Sequence, residues 1–346
     1  MPALPVLLAA RAHQTGPLVS VVTRSVPRGV DDALSTATLL GTLATSPGRG
    51  ATPDLWEALA TVAAYDLGAA RAIEPHLDAL AILEQAGTQA DDSPAPQRTW
   101  GVFAAEGGPD PLVARPDGRR WLLTGTKPWC SLADRLSDAL VSARTQDGDR
   151  MLFAVSLADP GVSADPSAWH ARGLSEIPSG PVRFDGVVAE PVGGAGWYLD
   201  RAGFAWGGIG VAACWFGGAV GIARTVYAAS ITGDPSPFLL MHLGAIDELV
   251  ESSRRALAEA AALVDAGEAT GPAGGLLAKR VRATVARACE EIAARAGHAL
   301  GPAPLALDAD HAKRVADLQL YVRQHHAERD QSSLGRALVA AGDAPW

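Results

Sequence analysis

The segment Leu123-Thr-Gly-Thr-Lys-Pro-Trp-Cys-Ser131 decides how this chain folds. It continues a run of strand type and breaks at Gly125, so an aromatic side chain and a small hydroxyl stand together at a strand end. An indole covers the face of a planar ring well, and a nearby hydroxyl can reach a ring heteroatom. Trp129 and Ser131 are therefore candidate contacts to a planar cofactor, although a tryptophan considered alone is more often part of a core.

Short runs of strand type surround this segment. They cover residues 100–104, 120–124, 139–143, 151–157 and 182–188. Turns rich in Asp, Gly and Pro separate these runs, as at Asp117-Gly118, Asp147-Gly148 and Asp185-Gly186. Alternating strands and turns of this kind predict a small β-domain over residues 99–192.

Helical patterns lie on both sides of the predicted β-domain. Thr52-Pro53 signals a helix start, and apolar residues recur at helical spacing over residues 69–83. Asp91-Asp-Ser-Pro-Ala-Pro96 indicates a linker or long turn. After Gly193-Gly-Ala-Gly196 the helical period returns and lasts to the C-terminus. The sequence thus predicts a mainly α protein, with a helical domain over residues 1–98, the central β-domain, and a helical bundle over residues 193–346.

Composition excludes several classes of function. Of the 346 residues, 48% are apolar and 19% charged, and the net charge of −9 argues against a nucleic-acid groove. Cys130, Cys214 and Cys289 stand far apart, which favours neither a disulfide framework nor a zinc site and fits a reducing cytoplasm. The apolar N-terminus has no basic region before it, so we expect no secretory signal peptide.

Residues 202–223 carry no charge and contain Gly217-x-x-x-Gly221, which requires a test for a membrane span. The many glycines, with Trp206 and Trp215 in the middle of the segment, favour a buried helix of a globular protein instead. The same segment matches a dinucleotide fingerprint formally at residues 208–213. Because no strand pattern precedes it, we do not expect a Rossmann site.

Two polar runs interrupt the helical patterns. In Arg323-Gln-His-His-Ala-Glu-Arg-Asp330, His326 and Asp330 are four residues apart and His325 and Glu328 are three apart, so each pair can share a helix face. A di-iron bundle needs Glu-x-x-His on two helices, and the sequence has none, so we expect no metal. A solvated helix face and a role in proton transfer remain open for this run.

The second polar run is Glu74-Pro-His-Leu-Asp78. An acidic residue followed by proline is typical of a helix start, so we expect this run to cap a helix.

Gly125-x-Lys-x-Trp-x-Ser131 resembles the segment of acyl-CoA dehydrogenases in which the Trp packs on the flavin and a Ser or Thr hydrogen-bonds near its N5. Upstream, Val102-Phe-Ala-Ala-Glu-Gly-Gly-Pro-Asp110 is similar to the family's turn at the pyrimidine edge of the flavin, which implies contacts from Phe103, Ala104 and Ala105. The order of parts agrees along nearly the whole chain. The resemblance implies the family's architecture: an α-helical domain, a β-barrel and a four-helix bundle.

The resemblance also implies a cofactor and a reaction. The cofactor is FAD, with FMN as the alternative. The reaction is the α,β-dehydrogenation of an acyl thioester in fatty acid metabolism, in which a base takes the α-proton while a hydride passes to the flavin. A cytoplasmic homo-oligomer and an electron-transfer partner are implied as well.

Two parts of the family's pattern differ here. Its Arg-x-x-Phe-Gly motif has no counterpart, and its Gly-Gly-x-Gly turn survives only as Ala296-Gly-His-Ala-Leu-Gly301, which leaves Gly297 and Gly301 as the implied phosphate contacts. Counted from Asp317, the position of the family's catalytic Glu falls at His325, and a different gap placement gives Glu328.

Two other functions are compatible with the same architecture. Val322-Arg-x-His325, followed by Leu334-Gly-Arg336, is similar to the tail of a branch of flavin-dependent monooxygenases, which use reduced flavin and oxygen. A non-catalytic subunit that stabilises an active partner would explain the altered phosphate contacts.

Overall fold

The computed structural model describes residues 3–9, 15–87, 98–118, 120–342 and residue 344. Helices come first along the chain: α1 (Pro17–Arg24), α2 (Gly29–Leu43), α3 (Thr52–Tyr65) and α4 (Leu67–Gln85). The side chain of Asp66 caps α4, since it accepts a hydrogen bond from the N–H of Ala69 at 3.2 Å. The linker predicted at residues 91–96 lies outside the described residues.

The polar run at residues 74–78 lies inside α4, so the prediction that it caps a helix is wrong. Glu74 follows the first residue of α4 by about two turns. Pro75 lacks the N–H that would bond the carbonyl of Arg71, and it remains in the helix because tertiary packing outweighs local propensity.

The strands form a closed barrel. They are β1 (Trp100–Phe103), β2 (Val113–Asp117), β3 (Arg120–Lys127), β4 (Asp138–Thr145), β5 (Arg150–Ser156), β6 (Val162–Ala164) and β7 (Val182–Val192). The path runs β1-β4-β2-β3-β7-β5, β6 pairs with β7, and the pairing of β4 with β5 closes the barrel. The register of β3 against β7 shifts between Leu123 and Thr124, just before Gly125.

Gly125 has a φ of 125°, and a Cβ there would lie 2.6 Å from the carbonyl oxygen of Pro111. Only glycine fits both conditions, so the irregularity of β3 is fixed at this point of the motif.

Helices resume after the barrel. They are α5 (Trp197–Asp200), α6 (Ala202–Ser230), α7 (Pro237–Asp265), α8 (Gly271–Leu300), α9 (Ala303–Leu307), α10 (Ala309–Tyr321) and α11 (Glu328–Ala341). A 3₁₀ turn, Val322–Gln324, separates α10 from α11. The predicted mainly α architecture around a β-barrel is confirmed.

Helix α6 lies at the centre of the bundle, packed on α3, α7 and α8. Its length and composition would allow it to cross a membrane, yet 72% of its most apolar stretch is buried inside the protein. Gly217 and Gly221 lie against backbone carbonyls of α3, where a Cβ would come within 2.1 Å and 2.4 Å of the oxygens of Ala60 and Ala64. The Gly-x-x-x-Gly spacing therefore serves close packing of two helices in the protein core.

Candidate active site

The loop after β3 holds an exposed tryptophan in a strained backbone conformation. Trp129 is 61% exposed and has a φ of 61°, in the left-handed region that a bulky residue enters at a cost of about 1–2 kcal/mol. Its ring meets the edge of Trp169, with 6.2 Å between the ring centroids. Because strain of this kind concentrates at functional sites, the exposed indole is a candidate binding surface.

Two backbone hydrogen bonds pin this loop to a second loop, residues 173–180. The N–H of Cys130 donates to the carbonyl of Gly180 at 3.0 Å, and the N–H of Leu132 donates to that of Pro178 at 2.8 Å. The position of Trp129 is therefore set by the 173–180 loop as well as by β3.

The 173–180 loop is in turn fastened to the helical bundle by Lys313. Its Nζ lies 2.6 Å from carboxylate oxygens of Asp317 and Glu176 and 3.1 Å from Asp66. Asp317 also accepts a hydrogen bond from the N–H of Leu174 at 2.6 Å. The three carboxylates lie close enough together to hold a cation, and the ammonium group of Lys313 lies at ion-pair distance from all three.

Ser131 lies where the barrel meets α4. Its side chain is buried, and its Oγ is 2.7 Å from the Oγ of Ser179, which donates to the carbonyl of Ile177. Arg71 of α4 donates to the Oγ of Ser131 at 2.9 Å. The hydroxyl is therefore oriented by partners from both domains.

A crevice runs between α4 and the barrel past Ser131. Its lining residues are Arg71, Ala72, Pro75, Trp100, Gly101, Val102, Phe103, Ser131, Leu132 and Leu136. Phe103 is buried at the end of β1, and Ala104 and Ala105 follow it as partly exposed residues. The structure thus brings the predicted upstream turn and Ser131 to the same crevice.

The upstream turn is anchored to β3 by a buried lysine. Lys127 is 3% exposed and its Nζ lies 3.3 Å from a carboxylate oxygen of Glu106, which also pairs with Arg150 at 3.2 Å. The same ammonium donates to the carbonyl and the hydroxyl of Ser142 at 2.6 Å and 2.8 Å. This network holds the turn and the Trp129 loop in a fixed relation.

Arg71, Glu74 and Asp78 form one stripe along α4, which we call the α4 polar face. A guanidinium nitrogen of Arg71 lies 3.8 Å from a carboxylate oxygen of Glu74, and Arg201 lies at 3.8 Å from Asp78. Burial raises the pKa of Glu74 to about 7, against the opposing effect of Arg71. Burial likewise raises the pKa of Asp78, against the effect of Arg201.

Arg282 of α8 extends this charged region toward the C-terminal turn. It donates to the carbonyl of Gly208 at 2.6 Å and to that of Gln324 at 3.1 Å. Its guanidinium carbon lies 4.7 Å from the ring centroid of Trp215, which is a cation–π distance. A second such contact joins Arg71 to the ring of Tyr321 at 5.6 Å.

The two candidate bases differ in their surroundings. His325 is 8% exposed, and its Nε2 is buried with no partner among the described residues. Burial lowers the pKa of His325, with Asp330 opposing, so its ring is neutral at pH 7 and able to accept a proton. Glu328 is exposed at the first position of α11. Ala327 separates the two, with a φ of 42°.

The comparisons with known proteins are consistent with this geometry. No protein-family model matches the sequence, and no curated protein matches it. Butyryl-CoA dehydrogenase from Megasphaera elsdenii superposes with a TM-score of 0.76 over 94% of this chain and 94% of that chain, at 16% identity. The chain has the acyl-CoA dehydrogenase fold.

Two other solved structures share the acyl-CoA dehydrogenase fold with this chain. KijD3, in complex with FMN and dTDP-3-amino-2,3,6-trideoxy-4-keto-3-methyl-D-glucose, has a TM-score of 0.77 at 20% identity, over 93% of this chain and 89% of that chain. The dibenzothiophene monooxygenase TdsC from Paenibacillus sp. A11-2 has a TM-score of 0.77 at 16% identity, over 93% of each chain. At these identities the likeness shows the fold alone.

The residues implied as phosphate contacts of this fold lie at the end of α8. The segment that resembles the family's glycine turn, residues 296–301, is helical up to Leu300. Gly297 lies within the last turns of α8, and Gly301 ends the helix with a φ of 67°. Neither glycine lines the crevice beside Ser131. Their part in binding stays a prediction.

The sequence analysis did not identify several residues of this candidate site. Arg71, Arg201, Arg282 and Tyr321 all contact the charged region, and none belongs to a motif. One signal was available: Arg71 is a charged residue in the otherwise apolar run Leu67-Gly-Ala-Ala-Arg-Ala-Ile73. A charge within such a run is expected to have a specific partner.

Proposed function

We propose that this chain is a flavin-dependent monooxygenase that acts on a polar small molecule. The α4 polar face carries this proposal, because it places charged side chains beside Ser131, whereas an acyl thioester would bring an aliphatic chain to the flavin. Packing such a chain against buried charges removes their remaining solvation without replacing it. On the same fold, the sugar-nucleotide complex of KijD3 is in line with a polar substrate, and the dibenzothiophene monooxygenase TdsC is in line with oxygen as co-substrate.

The residues present fit a flavin. Trp129 offers an exposed indole to a ring face, and Ser131 offers a hydroxyl oriented by Arg71 and Ser179 to a ring heteroatom. Phe103, the first residue of the upstream turn, lines the crevice that passes Ser131. A bound flavin, FAD or FMN, would supply the redox chemistry, and the chain would supply positioning and exclusion of water.

His325 supports proton transfer in this site. Its neutral ring is buried, and Arg282 bonds the carbonyl of the preceding residue, Gln324, which fixes the turn. The role we propose for His325 is to accept a proton from the substrate as it reacts. Glu328, exposed at the start of α11, is the weaker candidate.

Dehydrogenation of an acyl thioester is the second candidate function. The specific observation in its favour is the unpartnered Nε2 of His325, which could take an α-proton at one of the two positions where the resemblance to acyl-CoA dehydrogenases puts the base. Both functions require flavin, and they differ in the second substrate.

The absorption spectrum of the purified protein, with mass identification of any released flavin, tests the shared part. Bleaching of bound flavin by butyryl-CoA without oxygen would favour dehydrogenation. Oxygen-dependent modification of a polar substrate, after reduced flavin is supplied, would support the monooxygenase. A colourless protein that neither FAD nor FMN reconstitutes would overturn both and favour a non-catalytic partner subunit.

Two matched variants test the base. We expect His325→Gln to lower turnover by about 10²–10⁴-fold, the usual contribution of general base catalysis, and Glu328→Gln to have little effect. Flavin content serves as the control for folding in both. If both variants keep full turnover, neither residue is the base.

A further inference from the structure

The α4 polar face carries carboxylates whose hydrogen-bonding capacity is unused. Among the described residues, neither Glu74 nor Asp78 makes a hydrogen bond, although Glu74 is only 8% exposed. Their arginine neighbours stand at 3.8 Å, beyond hydrogen-bond distance. Each arginine donates elsewhere: Arg71 to Ser131 at 2.9 Å, and Arg201 to Gln85 at 2.9 Å.

Other polar atoms in the same region lack partners as well. Nε1 of Trp215, Nε of Arg201 and Nε2 of His325 are buried with no hydrogen-bond partner among the described residues. Arg282 bonds two backbone carbonyls and makes no ion pair with a described carboxylate. Buried polar groups are nearly always satisfied in native proteins, so several unsatisfied ones in one place need an explanation.

Another ion cluster of this chain is paired at shorter distances. Lys313 approaches its carboxylates at 2.6 Å and 3.1 Å, and Asp317 also accepts from a backbone N–H. Asp66 and Asp317 thus accept hydrogen bonds from Lys313, whereas Oε1 of Glu176 makes an ion pair only. The carboxylates of the α4 polar face accept no hydrogen bond from the described residues, so they are available to accept one from a ligand.

We propose that Glu74 and Asp78 bind N–H or O–H donors of the substrate, which we infer to be a compact ring bearing hydroxyl or amino groups, with Arg282 bonding an acceptor on it. Side chains four residues apart on a helix stand about 5–6 Å apart, a spacing that donors on neighbouring positions of a six-membered ring can bridge. This inference rests on the proposed function, because Arg71 donates to Ser131 on the cofactor side and stands beside Glu74.

Calorimetric titration of the flavin-loaded protein tests this inference, with glucose, glucosamine and butyryl-CoA as probes. We expect the two sugars to bind and the affinity to fall about tenfold or more in Glu74→Gln and in Asp78→Asn, as is usual when a hydrogen bond to a charged group is lost. Tighter binding of glucosamine than of glucose would identify an amine, and equal binding would identify hydroxyl groups.

Glu84→Gln is the matched control, since Glu84 belongs to the same helix and pairs with Arg49 at the surface. Its affinities should equal those of the unmodified protein. Binding of butyryl-CoA alone, or sugar binding that is unchanged in both site variants, would overturn the inference while leaving a flavoenzyme. Failure to bind any flavin would overturn the proposed function instead, and the two failures are therefore distinct.

Discussion

Replacing Trp129 by glycine separates the structural from the functional role of this residue. Glycine adopts a φ of 61° freely, so the substitution relieves about 1–2 kcal/mol of backbone strain. The indole is 61% exposed, so it buries roughly 80 Å² in contacts worth about 2 kcal/mol. With the extra entropy of an unfolded glycine, about 0.5 kcal/mol, we expect the free energy of unfolding to fall by about 1 kcal/mol.

Trp129→Ala provides the matched comparison. Alanine loses the same contacts and keeps the strain, so we expect it to lose about 2 kcal/mol, which makes it less stable than the glycine variant. Flavin affinity should behave differently: both variants lose the stacked ring and should bind flavin about tenfold more weakly, or worse. Trp129→Phe keeps an aromatic face and should fall between these variants and the unmodified protein.

Urea denaturation of the flavin-free variants, followed by circular dichroism, measures stability, and quenching of flavin fluorescence measures affinity. A glycine variant that is less stable than the alanine variant would refute the left-handed backbone at Trp129. Unchanged flavin affinity in the glycine, alanine and phenylalanine variants would refute the contact between the indole and the ring.

Three further predictions follow from ionisable groups. Lys313→Met should lower the free energy of unfolding by about 2 kcal/mol, as measured by urea titration. The loss is smaller than for a fully buried ion pair because the side chain of Lys313 is 40% exposed. Lys279→Met is the control and should leave the free energy of unfolding unchanged. The folded-state pKa of Glu74, about 7, exceeds its unfolded value of 4.5, so the folded protein binds a proton at Glu74 more tightly than the unfolded chain does. The stabilisation that this proton gives is complete below pH 4.5 and is lost as the pH rises through 7. The stability of the unmodified protein relative to Glu74→Gln should thus fall by about 3 kcal/mol over that window, and a constant difference would contradict the raised pKa. Burial raises the pKa of Cys130 to about 12, so a disulfide reagent at pH 8 should label it only after unfolding.

The parts of the candidate site that can be located from the sequence depend on local geometry. Trp129 and Ser131 are two residues apart at the end of β3, and the bulge and Gly125 that direct the loop lie within the same segment. The upstream turn at residues 103–105 likewise ends a single strand, β1. Short-range features of this kind are determined by a few neighbouring residues.

The sequence wrongly predicts a helix start at the α4 polar face because local and tertiary signals disagree there. Glu74 followed by Pro75 is a common helix start, and local propensity gives no reason to place the pair two turns inside a helix. The true start is at Asp66, whose side chain caps α4. The partners of this face, Arg201 and Arg282, come from distant parts of the chain, and no spacing rule connects them to α4.

The choice between His325 and Glu328 also depended on structure that the sequence does not reveal. If residues 323–330 formed one regular helix, His325 and Glu328 would lie on the same face of it. The 3₁₀ turn at Val322–Gln324 and the positive φ of Ala327 break that helix, so His325 is buried and Glu328 is exposed. The irregular backbone between α10 and α11 thus distinguishes the two candidate bases.

The glycines of α6 connect the packing of the bundle to the charged site. At Gly207 a Cβ would lie 2.7 Å from a carboxylate oxygen of Asp78, and the carbonyl of Gly208 receives the hydrogen bond from Arg282. Glycine inside a helix costs about 1 kcal/mol relative to alanine, so two adjacent ones are retained against a stability disadvantage. The formal dinucleotide fingerprint at residues 208–213 lies inside helix α6 next to these charges, and no strand of the described chain leads into it.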